Sequence, residues 1–285
     1  MRTDRKIIPP SAGKIRSEIF HNQRIKEYPG FIEVMTCSRP LFREPGWEFH
    51  DKWEKERRER KKEPGSAPDP EDIARAVRRA KINLRDLALC NEMSHFVTLT
   101  IDQTKIDRFD MEAIVKKINV WCSNHVQRDG LAYILVPELH KDGAIHFHGF
   151  INSALRLDDS GTISLPNCKK PKRPRSEVQR SEWLQSGGHI VYNITDWTFG
   201  FSTAIELYGD PVSAVMYCCK YIGKQKEGEV SQKIGGRWFY HGGCRNRPAV
   251  TYSDVDFDRQ ELLGHVYAWE VPSAGATFTK ERINF

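Results

Sequence analysis

Polar and apolar residues alternate along residues 95–101 and 144–151, and residues 131–138 form a short, nearly continuous apolar run. Each of these patterns predicts a strand. Between them, Met111, Ile114, Val115, Ile118 and Trp121 recur at helical spacing, which predicts an amphipathic helix over about 110–126. Further strands are expected near residues 200–207 and 237–240. Two helix starts carry an N-cap aspartate followed by proline, Asp69-Pro70 and Asp210-Pro211. The first opens a helix to about Cys90, the second a helix through residues 212–224. From residue 95 the order is β-α-β-β-(β)-α-β. Such an order predicts an α+β fold, a ferredoxin-like antiparallel sheet of about five strands with helices on one face.

Candidate chemistry enters at residues 138–148, where Asp142-Gly143 marks a hairpin turn between two strands. With Gly143 at the positive-φ position of a three-residue loop, His140 faces Ala144 and Glu138 falls across from His146. His146 and His148, two apart, point to one face of their strand, and Phe147 points to the other. Glu138, His146 and His148 thus form a candidate site for one divalent cation, with coordination positions left open for a substrate.

On the helix after Asp210, the residues Tyr217, Lys220, Tyr221 and Lys224 fall within about a 100° arc at helical geometry. A phenol is a weak nucleophile at neutral pH, and nearby cations or a polarised electrophile activate it. Taken alone, this face also fits two half-buried tyrosines beside solvated lysines.

In sequence the motifs are Phe96-Val97-Thr98-Leu99-Thr100-Ile101, His146-Phe147-His148 and Tyr217-Cys218-Cys219-Lys220. Together they resemble the HUH endonucleases, and within them the rolling-circle replication initiators of phages and plasmids, in which the tyrosine follows the histidines. The resemblance covers residues from about 94 to 248. It implies the HUH nuclease fold, with His146, His148 and Glu138 holding magnesium or manganese. It further implies that Tyr217 nicks and rejoins single-stranded DNA at a replication origin through a 5′-phosphotyrosine. Lys220 and Lys224 would lie beside the phosphate, and Tyr221 would be a second nucleophile or a packing residue. Two other classes stay open: a single-strand DNA transposase of the same chemistry, and a non-catalytic nucleic-acid-binding module.

Composition bounds these readings. The chain has 285 residues, 39% of them apolar, and a formal net charge of +6, which suits a polyanionic partner without proving one. Its seven cysteines include no C-x-x-C pair, so neither a zinc ribbon nor a thioredoxin-type motif is suggested. No G-x-x-x-x-G-K-[ST] motif occurs, so DNA unwinding is assigned to a separate host helicase. No apolar run reaches the roughly 18 residues of a membrane span, and the expectation is a cytoplasmic protein of a bacterial host. The expected organisation is a charged extension of unknown fold over residues 1–68, with the dense charge run 51–62 and the linker-like 63–68, followed by a nuclease domain over 69–285. A basic loop insertion is expected at 152–188. There Lys169, Lys170, Lys172, Arg173 and Arg175 surround prolines that exclude a helix interior; they either stay solvated or contact DNA phosphates.

Overall fold

A computed structural model describes residues 20–43, 69–140, 142–168, 170–224 and 231–285. The charge run 51–62 and the segment 63–68 lie outside the described residues, as do Lys141 and Lys169. The chain divides into two compact units: a continuous one, Ala67–Arg247, and a split one made of Met1–Ser66 and Pro248–Phe285.

The continuous unit begins with α1 (Pro70–Cys90), capped by the Asp69 side chain. Then follow β5 (His95–Thr100), α2 (Met111–Arg128), β6 (Tyr133–Leu139), β7 (Ile145–Ile151), β8 (Leu157–Ser164), α3 (Glu177–Gln185), β9 (His189–Ile194), β10 (Ser202–Glu206), α4 (Pro211–Cys219) and β11 (Tyr240–Gly242). The strands form one antiparallel sheet in the order β11-β6-β7-β5-β10-β9-β8. The fold is α+β with an antiparallel sheet, as the pattern predicts, but the sheet has seven strands rather than about five. Two of them, β8 and β9, come from the stretch read as an insertion and its end. Their sequences are too polar to show a clear strand period, and a register shift between Asp159 and Thr162 breaks the alternation further.

Alternation along β5 and β7 sends side chains to two faces. Val97, Leu99, Ile145 and Phe147 join Ile114, Ile118 and Cys122 of α2 in the buried core. On the other face stand Phe96, Thr98, Thr100, His146 and His148. The helix α4 serves that face, since Tyr217 meets Phe96 with ring centroids 5.8 Å apart. Helices therefore occupy both faces rather than one. The reason lies in β5 and β7, whose apolar residues serve α2 while the intervening residues carry aromatic and polar groups that α4 covers. The helix α1 packs along α4, and the Cys219 thiol donates to the Lys81 carbonyl at 3.7 Å.

In the split unit, β1 (Phe20–His21) pairs with β4 (Phe42–Arg43). Strands β2 (Gln23–Tyr28), β3 (Phe31–Cys37), β12 (Ala249–Ser253), β13 (His265–Val271) and β14 (Ala276–Asn284) form a second antiparallel sheet, ordered β12-β2-β3-β14-β13. Residues 248–285, assigned from sequence to the nuclease domain, thus belong with the amino-terminal segment. Backbone pairing of β12 with β2 and of β14 with β3 explains the difference. Among the described residues no helix is long and apolar enough to cross a membrane.

Candidate functional site

The hairpin of β6 and β7 forms the floor of the site. His140 N–H donates to the Ala144 carbonyl at 2.7 Å, and Gly143 has φ of 91°. The register places Glu138 across from His146, as the turn chemistry predicts. The contact itself is diagonal: Glu138 Oε2 lies 2.8 Å from His148 Nε2, because diagonal neighbours on a sheet are within reach of long side chains. The other carboxylate oxygen accepts from Lys224 Nζ at 2.5 Å.

Strand β5 supplies two hydroxyls that sequence reasoning left without a role. Thr98 Oγ1 is 3.1 Å from His148 Nδ1, and Thr100 Oγ1 is 3.3 Å from His146 Nδ1. Each threonine is the direct cross-strand partner of its histidine. The signal was present as a Thr-x-Thr alternation matching His-x-His. Holding Nδ1 of each ring fixes its orientation and leaves Nε2 toward the open face.

The second wall is α4 and the turn that follows it. Asp210 accepts from Val212 N–H, Pro211 takes the first helical position, and Val215, Cys218 and Cys219 are buried. Helical geometry stops at Cys219, before the expected residue 224. Tighter turns follow, with Tyr221 N–H donating to the Cys218 carbonyl and Lys224 N–H to that of Tyr221, and Gly223 reverses the chain at φ 72°. The four predicted side chains converge all the same. Tyr221 stacks on His148 with centroids 4.1 Å apart and its hydroxyl donates to that of Tyr217 at 2.9 Å. Lys220 Nζ stands 5.5 Å from the Tyr217 ring centre and Lys224 Nζ 5.4 Å from that of Tyr221.

These contacts set the charges. Burial pushes the Glu138 carboxyl up, but the hydrogen bonds from His148 and Lys224 outweigh it and hold its pKa at about 2. Burial, followed by the neighbouring His140 and His148, lowers the pKa of His146 and favours its neutral, ligating form. Burial and the bond to Tyr217 push the Tyr221 phenol above its ordinary range. Tyr217 is 48% exposed, so its oxygen is open to a ligand.

No three His, Cys, Asp or Glu side chains among the described residues are arranged as a metal-holding group. The donor chemistry nevertheless fits a divalent ion. Two cis donors about 2.1 Å from one ion are about 3.0 Å apart, and the pair Glu138 Oε2 and His148 Nε2 is 2.8 Å apart.

The basic run lies elsewhere. Lys172 is bridged to Ile163 of β8 by two backbone hydrogen bonds, and Arg173 donates to the Ser160 carbonyl at 3.2 Å. Arg175 N–H donates to Gln179 Oε1 at 2.7 Å. Lys170, Lys172, Arg173 and Arg175 are exposed. The run is thus tied to β8, four strand spacings or about 19 Å from the histidine strand β7 in the sheet order.

The ring of threonines, histidines, glutamate, tyrosines and lysines is enclosed by one family match. Residues 94–226 match the family model of the replication-associated protein ORF2. The replication-associated segment starts one residue before β5 and runs past Lys224, so it includes every member of the site. It ties these residues to DNA replication, as the motif resemblance implies. Comparison with curated proteins and with solved structures gives no match.

Proposed function

We propose that the replication-associated segment initiates rolling-circle replication by nicking and rejoining single-stranded origin DNA, with Tyr217 as nucleophile. The observation that carries this reading is the convergence of Tyr217, through Tyr221, on the pair His148 and Glu138. The Tyr217 oxygen attacks the scissile phosphorus, a tyrosyl–phosphorus ester forms, and the bond to the 3′ oxygen breaks. The phenol proton leaves to solvent, and the departing 3′ oxygen takes a proton from solvent. Tyr221, held by His148, donates a hydrogen bond to the Tyr217 oxygen as charge develops there. Lys220 balances the charge of the phosphate. His146, His148 and Glu138 would hold the divalent ion, magnesium or manganese. When bound, the ion polarises the phosphate for attack. Because the ester is retained on Tyr217, a later 3′-hydroxyl reseals the strand by the reverse exchange. Duplex separation falls to a separate helicase.

The test is covalent capture of a single-stranded origin oligonucleotide, followed as a shifted band after denaturation. Wild type should form the adduct, excess chelator should prevent it, and Tyr217→Phe should not form it. Unaltered adduct formation by Tyr217→Phe would refute the assignment of the nucleophile.

A further inference from the structure

Along α1 the residues Ala76, Arg79, Ala80 and Asn83 form one stripe at spacings of three and four. Facing it is the segment 233–239 that leads into β11, and between them is a cleft of about 350 Å³. Its walls include Arg79, Lys233, Arg237, Trp238 and Phe239. Arg79 and Lys233 are exposed and, among the described residues, neither pairs with a carboxylate; the Arg237 guanidinium lies over the Tyr240 ring, at 6.0 Å. Other α1 cations are engaged locally, as Arg75 is with Asp72 at 2.5 Å. The indole Nε1 of Trp238 is buried without a hydrogen-bond partner among the described residues. A concave surface with three unneutralised cations concentrates positive potential. Guanidinium groups match the geometry of phosphate oxygens, and an aromatic wall beside them accepts a sugar or base. None of these residues belongs to the tyrosine site.

We infer that this cleft is a second DNA site, which takes one nucleotide of the single strand away from the cut. The phosphate sits among Arg79, Lys233 and Arg237, and the sugar and base lie against Trp238 and Phe239. The inference rests on the nicking proposal only for the identity of the strand. Its role is to grip the strand, so it governs affinity and leaves the chemical step alone.

Binding is measured with the full chain carrying Tyr217→Phe, which prevents cleavage, on a fluorescent oligothymidylate at several salt concentrations. The triple variant Arg79→Gln, Lys233→Gln, Arg237→Gln should flatten the slope of log affinity against log salt by about 2, since each single-strand phosphate contact contributes roughly 0.7. Ala76→Trp, which fills the cleft and leaves every charge, should also weaken binding. Free thymidine monophosphate, added as competitor, should displace the strand only weakly. In the Tyr217 background, adduct yield at saturating DNA should be unchanged by the triple substitution. An unchanged slope, or wild-type binding by Ala76→Trp, overturns the inference. Strong displacement by the mononucleotide does so too, by assigning the cleft to a free nucleotide. Failure of wild type to form any adduct would count against the nicking proposal alone, because the slope is read without cleavage.

Discussion

Tyr221 is held from two sides, by the His148 ring beneath it and by the Tyr217 hydroxyl that accepts its proton. That geometry makes Tyr221 a donor to the nucleophile rather than a rival to it. Tyr221→Phe keeps the stacked ring and removes one hydrogen bond, so adduct formation should slow by about tenfold without being lost, as quenched time courses would show. Total loss would instead identify Tyr221 as the attacking group. Glu138 gives a second prediction, in pH. Its carboxyl is held at about 2, against an ordinary 4.5. A carboxylate depressed in the folded state stabilises the fold above its unfolded pKa, and that stabilisation is lost as pH falls through the folded value. Glu138→Gln should therefore be less stable than wild type at pH 6, by on the order of 2 kcal/mol. The two unfolding curves, recorded in chelator, should converge on approaching pH 2. A constant difference across that window would contradict the role of the His148 and Lys224 bonds.

At the level of the strand and helix, the hairpin was legible because Asp142-Gly143 fixes both turn and register, and the register then sets which residue faces which. The diagonal Glu138–His148 contact was not legible, since register fixes backbone partners and leaves the side chain several reachable neighbours. The end of α4 was missed for a local reason: the residues up to Lys224 keep helical periodicity, whereas the backbone tightens after Cys219 and turns at Gly223. The basic run was legible as non-helical, but its tether to β8 depends on a pairing that no local pattern announces. A different constraint acts on β7 itself. A Cβ on Gly149 would come within 1.8 Å of the Ile134 carbonyl oxygen on β6, so the two backbones leave room for hydrogen alone. Gly149→Ala should force the hairpin apart and cost about 1–3 kcal/mol or more, seen as a lowered Tm. It should also impair adduct formation, because His148 is the adjacent residue. A variant with wild-type Tm and activity would show that the strands relax freely.

Across the molecule, every residue of the core cluster around α2 lies within the continuous unit. The chain 67–247 produced alone should accordingly unfold as one cooperative transition in denaturant and retain adduct formation. A gradual, non-cooperative transition would show that its core is insufficient by itself. The split unit was least legible, because its partners are far apart in sequence: Gln23 of β2 faces Ser253 of β12, and Phe31 of β3 faces Asn284 of β14. No window of neighbouring residues contains such a pairing. The order of that sheet, β12-β2-β3-β14-β13, also bears on how the protein is made. Synthesis runs from the amino terminus, so β2 and β3 emerge early while β14, which lies in the interior of the sheet, emerges after the whole continuous unit. Throughout that interval one edge of β3 offers unpaired backbone groups to any other nascent chain. Ribosome-bound intermediates are therefore the stage at which this protein is most exposed to aggregation, and a chaperone that shields strand edges would matter more to its yield than to its finished stability.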